Sequence, residues 1–142
     1  MAAASQPGGE PVIRRFSSGT AWEPVVGYSR AVAAGDFVFV SGCTSVAGAE
    51  PVHPGDAYAQ TAQAIRNAAA ALNGLGASIT DVVQTRMYVT DISYWEEVGR
   101  AHAEAFGEVR PAATMVQVAT TSTSTPSTHS PDQSTWRERG AE

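Results

Sequence analysis

The sequence predicts an α+β fold in which two helices cover one face of a β-sheet. Three kinds of pattern carry this prediction: short runs of alternating apolar residues, two longer stretches with apolar residues at helical spacing, and turns that contain glycine or proline. Read in order, they give β-β-β-α-β-α-β, with helices and strands in separate layers. A chain of 142 residues is long enough for one such domain with a single core.

The first three strands include a predicted hairpin. The run "PVIRRFSSG" supplies the first strand, and Gly35-Asp36 marks a turn between the two β-prone runs of "SRAVAAGDFVFVSGCTSV". Because side chains alternate along a strand, the residues after this turn divide between two faces. One face takes Phe37, Phe39 and Ser41, and the other takes Val38, Val40 and Gly42.

Two stretches have the spacing of helices, and a strand follows each of them. The first, from Ala57 to Leu75, follows Asp56, whose carboxylate can accept the free N–H groups of a helix N-terminus. The second lies in "SYWEEVGRAHAEAF", with Ser93 as the expected cap. The following strands are "DVVQTRMYVTD" and "PAATMVQV". The apolar helix positions are Ala62, Ile65, Ala69 and Leu72, then Trp95, Val98, His102, Ala105 and Phe106.

The two ends of the chain differ in composition from residues 11–119, which form the expected domain. Residues 1–10 are small and polar, which predicts a disordered N-terminus. Residues 120–142 predict an atypical Ser/Thr/Pro-rich tail, since Pro126 and Pro131 cannot donate to a strand ladder. Two origins of this tail stay open: a disordered extension, or a segment produced by a reading-frame slip in a GC-rich gene.

Charge and composition narrow the class of function. The net charge of −5 at pH 7 provides no basic field for nucleic acid or anionic lipid, so we expect neither to bind. No apolar run reaches the ~20 residues that a membrane span needs. The single cysteine, Cys43, fits a reducing compartment, and we expect a cytoplasmic location. The three histidines lie in separate segments and no phosphate-binding loop occurs, so we expect neither metal nor cofactor.

Several short segments, in order and with their spacing, resemble the Rid/YjgF family, the reactive intermediate deaminases. They are "VGYSRAV", "FVFVSGCTSV" and the stretch from Tyr58 to Ala119 that contains "QTAQAIRN". The resemblance implies a chorismate-mutase-like fold with a mixed sheet. It also implies a homotrimer with clefts between neighbouring subunits, and cofactor-free hydrolysis of 2-imino or 2-enamino acids to 2-oxo acids and ammonia.

The resemblance further implies which residues line the cleft. Tyr28 matches the family's tyrosine, and Ser41 and Gly42 match a Ser-Gly turn whose backbone N–H groups could contact a carboxylate. The carboxylate-binding arginine of the family corresponds to Ala113, and a cleft asparagine corresponds to Gly99. The glutamate of the family's last strand has no counterpart in the tail. Three polar anchors of active members are therefore missing.

Other residues are candidates to complete a substrate site. Cys43 follows the Ser-Gly turn, where it is either a reachable cleft thiol or a buried, inert one. Arg86 lies mid-strand among apolar neighbours, so it either pairs across a subunit interface or binds an anion. Trp95 either anchors its helix or forms an aromatic wall of the cleft. Arg110 is expected in a solvent-exposed loop, and His102 is expected to be packed rather than catalytic.

Two functions are compatible with this pattern. In the first, a trimeric protein binds a small carbonyl, imine or anionic metabolite and has lost the ordinary deamination of 2-imino acids. In the second, the protein is an active imine or enamine deaminase with a rewired substrate site. The missing anchors favour the first function, whereas Tyr28 and the Ser-Gly turn favour the second.

Overall fold

The computed structural model of the protein describes residues 12–119, so the predicted disordered N-terminus and the predicted Ser/Thr-rich tail lie outside the described residues. The predicted helices and strands occur in the predicted order, with a short helix and a small hairpin in addition. The strands are β1 (Ile13–Phe16), β2 (Ala31–Ala34), β3 (Phe37–Val40), β4 (Val46–Ala47), β5 (Glu50–Pro51), β6 (Gln84–Val89) and β7 (Ala112–Gln117); the helices are α1 (Trp22–Val26), α2 (Ala57–Gly74) and α3 (Trp95–Phe106).

The strands pair within three hydrogen-bonded groups. The first group is an antiparallel sheet with the order β1-β2-β3, and the second pairs β4 with β5. In the third, β6 pairs in parallel with β7, and helix α3 lies in the segment that connects these two strands. The predicted hairpin is confirmed: Ala34 pairs with Phe37, and Gly35 takes the left-handed conformation, with φ of 58°, that the tight turn requires. The small β4–β5 hairpin follows β3 and pairs Val46 with Pro51 and Ala47 with Glu50.

Helix α2 packs on the antiparallel sheet through small side chains. Ala31 and Ala33 of β2 meet Ala71 of α2 and Leu75 in one buried cluster. Asp56 caps the helix as predicted, because its carboxylate accepts the Ala59 N–H at 2.9 Å. Short side chains on both elements let the helix approach the sheet closely, as the alanine-rich sequence indicates.

Helix α3 packs beside α2, and its residues Val98, Ala101 and Phe106 are buried. His102 lies between the two layers: its Nε2 is 2.9 Å from the Thr85 hydroxyl oxygen, and its ring centroid is 4.7 Å from that of Phe106. The prediction that His102 is a packed helix residue is confirmed.

The opposite face of both sheets carries no helix. Along β6 the exposed and half-buried residues alternate, with Thr85, Met87 and Val89 toward the helices. This arrangement confirms the α+β fold with helices on one face. It also leaves apolar side chains in contact with solvent in the single chain, with exposed fractions of 65% for Phe37, 62% for Phe39, 65% for Tyr88 and 40% for Val116.

The structure corrects the predicted cap of α3 and removes one of the two alternatives for Trp95. The helix does not begin at a Ser93 cap, because a 3₁₀ turn at Ile92–Tyr94 precedes it and Asp91 accepts the Ser93 N–H at 2.9 Å. Trp95 does not anchor the helix within the chain, since its side chain is 57% exposed. None of the helices within residues 12–119 has the length and apolar character to cross a membrane.

Candidate functional site

Tyr28 and the Ser-Gly turn meet because β2 and β3 pair. The hairpin brings residues 28–30, which enter β2, beside residues 41–43, which leave β3. Ser41 ties the two segments together: its N–H donates to Arg30 O at 3.0 Å, and its hydroxyl donates to Ser29 O at 2.7 Å. The Ser41 N–H is therefore engaged within the chain, and the expectation that it contacts a carboxylate is corrected.

Arg30 is the charged residue at the centre of this cluster. Its Nη1 donates to Gly42 O at 2.6 Å, and its Nη2 donates to the Tyr28 hydroxyl oxygen at 2.9 Å. The guanidinium carbon also lies 5.2 Å from the centroid of the Tyr28 ring, within the range of a cation–π contact. The structure thus places a fixed positive charge against the tyrosine and the turn that the sequence singled out.

Cys43 is half-buried in the same cluster. Its Sγ is 3.4 Å from Ser41 O, to which the thiol donates, and 3.7 Å from Nη1 of Arg30. Burial raises the pKa of the Cys43 thiol above its ordinary value, and the neighbouring Arg30 charge only partly opposes this effect. The thiol is therefore held neutral near pH 7, which favours the inert thiol over a nucleophile.

Residues of α2 hold the segment that follows Cys43. The side-chain amide of Asn67 donates to Thr44 O at 3.0 Å and to Val46 O at 2.9 Å, while Gln63 donates to the Asn67 amide oxygen at 3.0 Å. Ser45 is buried and its hydroxyl donates to Val52 O at 2.7 Å. The polar residues of "QTAQAIRN" thus fix the shape of the loop beyond the turn.

Two open cavities meet at Cys43 and Thr44. One, of about 300 Å³, is lined by Phe16, Ser18, Thr20, Arg30, Gly42, Val46, Gly48, Asn67 and Ala70 as well as these two residues. The other, of about 210 Å³, lies between the start of α2 and the end of β6, and Tyr88 and Tyr94 contribute to its wall. The first of the two contains the Arg30 cluster.

Glu23 of α1 organises one wall of the larger cavity. Its carboxylate accepts the Ser18 N–H at 2.9 Å and the Ser18 hydroxyl at 2.6 Å, and it is 6% exposed. The hydrogen bonds from Ser18 lower the pKa of Glu23 to about 2. The Ser17 side chain contributes to this shift, and the Arg30 charge adds to it. Glu23 is therefore ionised at neutral pH and holds the 17–20 loop in place beside Arg30.

Arg86 and Ala113 lie on different faces of the β6–β7 pair. In the parallel register Ala113 is opposite Thr85, whereas Arg86 is opposite Thr114. Paired residues share a face, so Ala113 belongs to the face of Thr85 that meets α3, and Arg86 belongs to the exposed face of Tyr88. Arg86 therefore does not occupy the position of an arginine at residue 113.

The structure unites some of the predicted site residues and separates others. Tyr28, Ser41, Gly42 and Cys43 form the Arg30 cluster. Arg86 and Trp95 are exposed and line neither cavity. Arg110 is also exposed and takes a positive φ of 52°, with its Nε–H donating to Gly107 O at 3.2 Å.

Arg30 is the residue that the sequence reasoning missed. The signal was present, because Tyr28 and Arg30 are two positions apart and side chains at this spacing in an extended segment point to the same side.

In the part of the chain that the structure describes, no group of three or more His, Cys, Asp or Glu side chains could hold a metal ion.

Comparison with known families agrees with this fold. The family model described as "Endoribonuclease L-PSP" matches residues 18–125. The chain belongs to the YjgF/Rid family. An uncharacterized protein of Streptomyces coelicolor is 42% identical over 106 residues, which cover 75% of this chain and 79% of that protein.

Relatives with a more informative description are more distant. A RutC family protein of Pyrococcus abyssi is 35% identical over 103 residues, covering 68% of this chain and 76% of its own. The 3-aminoacrylate deaminase RutC of Acinetobacter baylyi is 33% identical over 96 residues, covering 67% of this chain and 76% of its own. Among solved structures, a YjgF family member from Mycobacterium tuberculosis has a TM-score of 0.70 at 47% identity, covering 77% of this chain and 86% of that one.

Proposed function

We propose that the protein binds a small carbonyl, imine or anionic metabolite in a cleft completed by neighbouring subunits, and that it is not an ordinary 2-imino or 2-enamino acid deaminase. The observation that carries the proposal is Ala113, which stands where the family resemblance implies a carboxylate-binding arginine. A methyl group cannot hold a carboxylate, and loss of a buried charged partner costs about 2–5 kcal/mol of binding. Arg86 belongs to the opposite face of the sheet and does not compensate.

A homotrimer is part of the proposal. The uncovered sheet face carries exposed aromatic side chains at Phe37, Phe39 and Tyr88. Exposed apolar surface of this kind supports association with further copies of the chain, which would bury it. Arg86 shares a face with Tyr88 and would then lie near a neighbouring subunit. A cytoplasmic location without a cofactor completes the proposal.

The alternative function, an active imine or enamine deaminase, has a specific observation in its favour. The A. baylyi relative is named for 3-aminoacrylate, which carries both an enamine nitrogen and a carboxylate. In such a reaction water adds to the C=N carbon of the imine form, and ammonia leaves as the carbonyl forms. Ribonuclease activity, which the name of the family model suggests, is not proposed, because the net charge of −5 opposes binding to a phosphate backbone.

Hydrolysis of freshly generated 2-iminobutyrate and 2-iminopropionate separates the two functions. We expect 2-oxo acid to form at the rate of the buffer blank, while an authentic family deaminase in the same assay accelerates the reaction. Turnover comparable to that deaminase would support the alternative and contradict the proposal. Light scattering on the same sample tests assembly: a particle with the 14.8 kDa mass of one chain at micromolar concentration would contradict the trimer.

A further inference from the structure

We propose that Arg30 anchors the anionic group of the ligand, and that the ligand is a small monocarboxylate of the 2-oxo acid class. This inference rests on the proposed small-molecule function. It assigns the positive charge of the site to the start of β2, whereas the family resemblance had implied β7. The starting observation is that Arg30 is half-buried, lines the larger cavity and contacts both Tyr28 and Gly42.

Arg30 has donors to spare for a carboxylate. A guanidinium carries five N–H donors. Within residues 12–119, Nη1 donates to the turn and Nη2 makes one hydrogen bond, to Tyr28, while Nε makes none. The Nε–H and the second Nη2 N–H therefore remain, and they belong to nitrogens bonded to the same carbon. Donors on two such nitrogens match the two oxygens of a carboxylate.

The groups around Arg30 suit the carbonyl of a 2-oxo acid. The Tyr28 hydroxyl accepts from Arg30, so its own proton is available to an acceptor on the ligand. The Gly42 N–H is exposed and makes no hydrogen bond within residues 12–119. The Tyr28 hydroxyl is 2.9 Å from Nη2, so a carboxylate on Nε and Nη2 would bring an adjacent C=O oxygen toward it, and Gly42 lines the same cavity as Arg30.

Size and charge restrict the ligand to a small monoanion. The cavity of about 300 Å³ is at the lower end of the range of small-molecule sites. Glu23 lies close enough to Arg30 for the two charges to interact, and its carboxylate is buried and ionised. Because Glu23 already offsets the charge of Arg30, Glu23 opposes each negative charge that a ligand brings, so a monoanion is expected to bind better than a dianion such as hydrogen phosphate.

Arg30 also has a structural role, since it joins the two ends of the hairpin, and the experiment must separate this role from ligand binding. Isothermal titration of sodium 2-oxobutyrate and of neutral 2-butanone gives the affinity with and without the carboxylate. Thermal unfolding and light scattering of each variant report the structural role. The variants are Arg30→Gln, Arg30→Lys and the control Arg100→Gln, which removes an equal charge from the exposed surface of α3.

For the wild type and Arg100→Gln we expect equal affinity for 2-oxobutyrate, and weak binding of inorganic phosphate. Arg30→Gln should lose about 10- to 100-fold in affinity for 2-oxobutyrate without a matching loss for 2-butanone. Arg30→Lys keeps the charge but not the paired donors, so it should recover only part of the affinity. Both Arg30 variants should keep the wild-type assembly.

Each contrary result has a separate meaning. If Arg30→Gln binds 2-oxobutyrate as tightly as the wild type, Arg30 is not the anchor. If Arg30→Gln does not fold, the test rests on Arg30→Lys. If Arg30→Lys then binds 2-oxobutyrate as tightly as the wild type, the proposal that paired Arg30 donors hold the carboxylate is overturned. If the wild type binds 2-butanone but not 2-oxobutyrate, the anionic ligand class is wrong while the small-molecule cleft stands. If the wild type binds neither compound, the inference is overturned for this ligand class. Rapid imine turnover in the deaminase assay would instead overturn the proposed function alone.

Discussion

Replacing Gly74 with alanine is expected to destabilise the protein, although alanine is the better helix former. Gly74 is the last residue of α2, and a Cβ at this position would lie 2.2 Å from Cδ2, 2.3 Å from Cε2 and 2.9 Å from Cγ of Phe16. Carbon atoms in contact prefer about 3.5–4 Å. Because Cγ lies on the axis about which the ring rotates, a rotation of the ring alone does not relieve the contact.

The magnitude follows from two opposing effects. Overpacking of this kind costs about 1–3 kcal/mol. Replacing glycine with alanine raises the free energy of unfolding by at most about 1 kcal/mol in a helix interior, and by less at a helix end. We therefore expect Gly74→Ala to lower the free energy of unfolding by about 1–2 kcal/mol. In a Phe16→Ala background the contact is absent, so the same substitution should cost nothing.

Gly99→Ala is the matched control. Gly99 lies inside α3, and a Cβ there would have no neighbouring atom within 4 Å. This substitution should raise the free energy of unfolding by about 0.5–1 kcal/mol. Urea denaturation of all variants at one protein concentration is the assay, because the stability of an oligomer depends on concentration. A Gly74→Ala variant as stable as the wild type would refute the close approach of α2 to Phe16.

Three further predictions concern His102, Asn67 and Arg86. Burial lowers the pKa of His102, so between that pKa and the ordinary value of 6.5 the unfolded chain binds a proton that the folded chain does not. The free energy of unfolding should therefore fall as pH drops below about 6.5. Urea midpoints measured from pH 8 down to pH 5 should fall less steeply for His102→Gln than for the wild type. Asn67→Ala removes both bonds to the loop after Cys43 and should cost about 1–3 kcal/mol in the same assay; unchanged stability would mean that the loop holds its shape without α2. Arg86→Ala should weaken assembly in light scattering, because Arg86 shares the exposed face of β6 with Tyr88, and should leave the affinity of the assembled protein for 2-oxobutyrate unchanged. A variant that stays assembled but loses this affinity would place the anion on Arg86 and contradict the Arg30 anchor, and a variant unchanged in both would place Arg86 outside interface and site.

Local signals were sufficient for most of the fold. Gly35 and Asp36 fix the hairpin turn, and Asp56 fixes the start of α2, because each acts through its own backbone neighbours. The period of two along a strand separates Arg86 and Tyr88 of β6 from the residues under the helices. The start of α3 was mispredicted because Asp91 and Ser93 are both good caps, and the intervening 3₁₀ turn decides between them.

The site was less predictable because it depends on pairings between distant segments. Arg30 acquires its role only when the hairpin brings Gly42 and Tyr28 to its guanidinium. Helix α1 was missed because five residues with a proline give no helical period, and the helix depends on Glu23 and the 17–20 loop. Ala113 could be recognised as a departure from the family pattern, but the opposite placement of Arg86 required the register of β6 and β7.

A crystal structure of the protein with 2-oxobutyrate tests the central claim most directly, namely that the anion site has moved from β7 to the Arg30 cluster. We predict the carboxylate within hydrogen-bond distance of Nε and Nη2 of Arg30, with the 2-oxo oxygen near the Tyr28 hydroxyl and the Gly42 N–H. A carboxylate bound against β7 near Ala113, or on Arg86, while Arg30 contacts only the hairpin, would contradict the account.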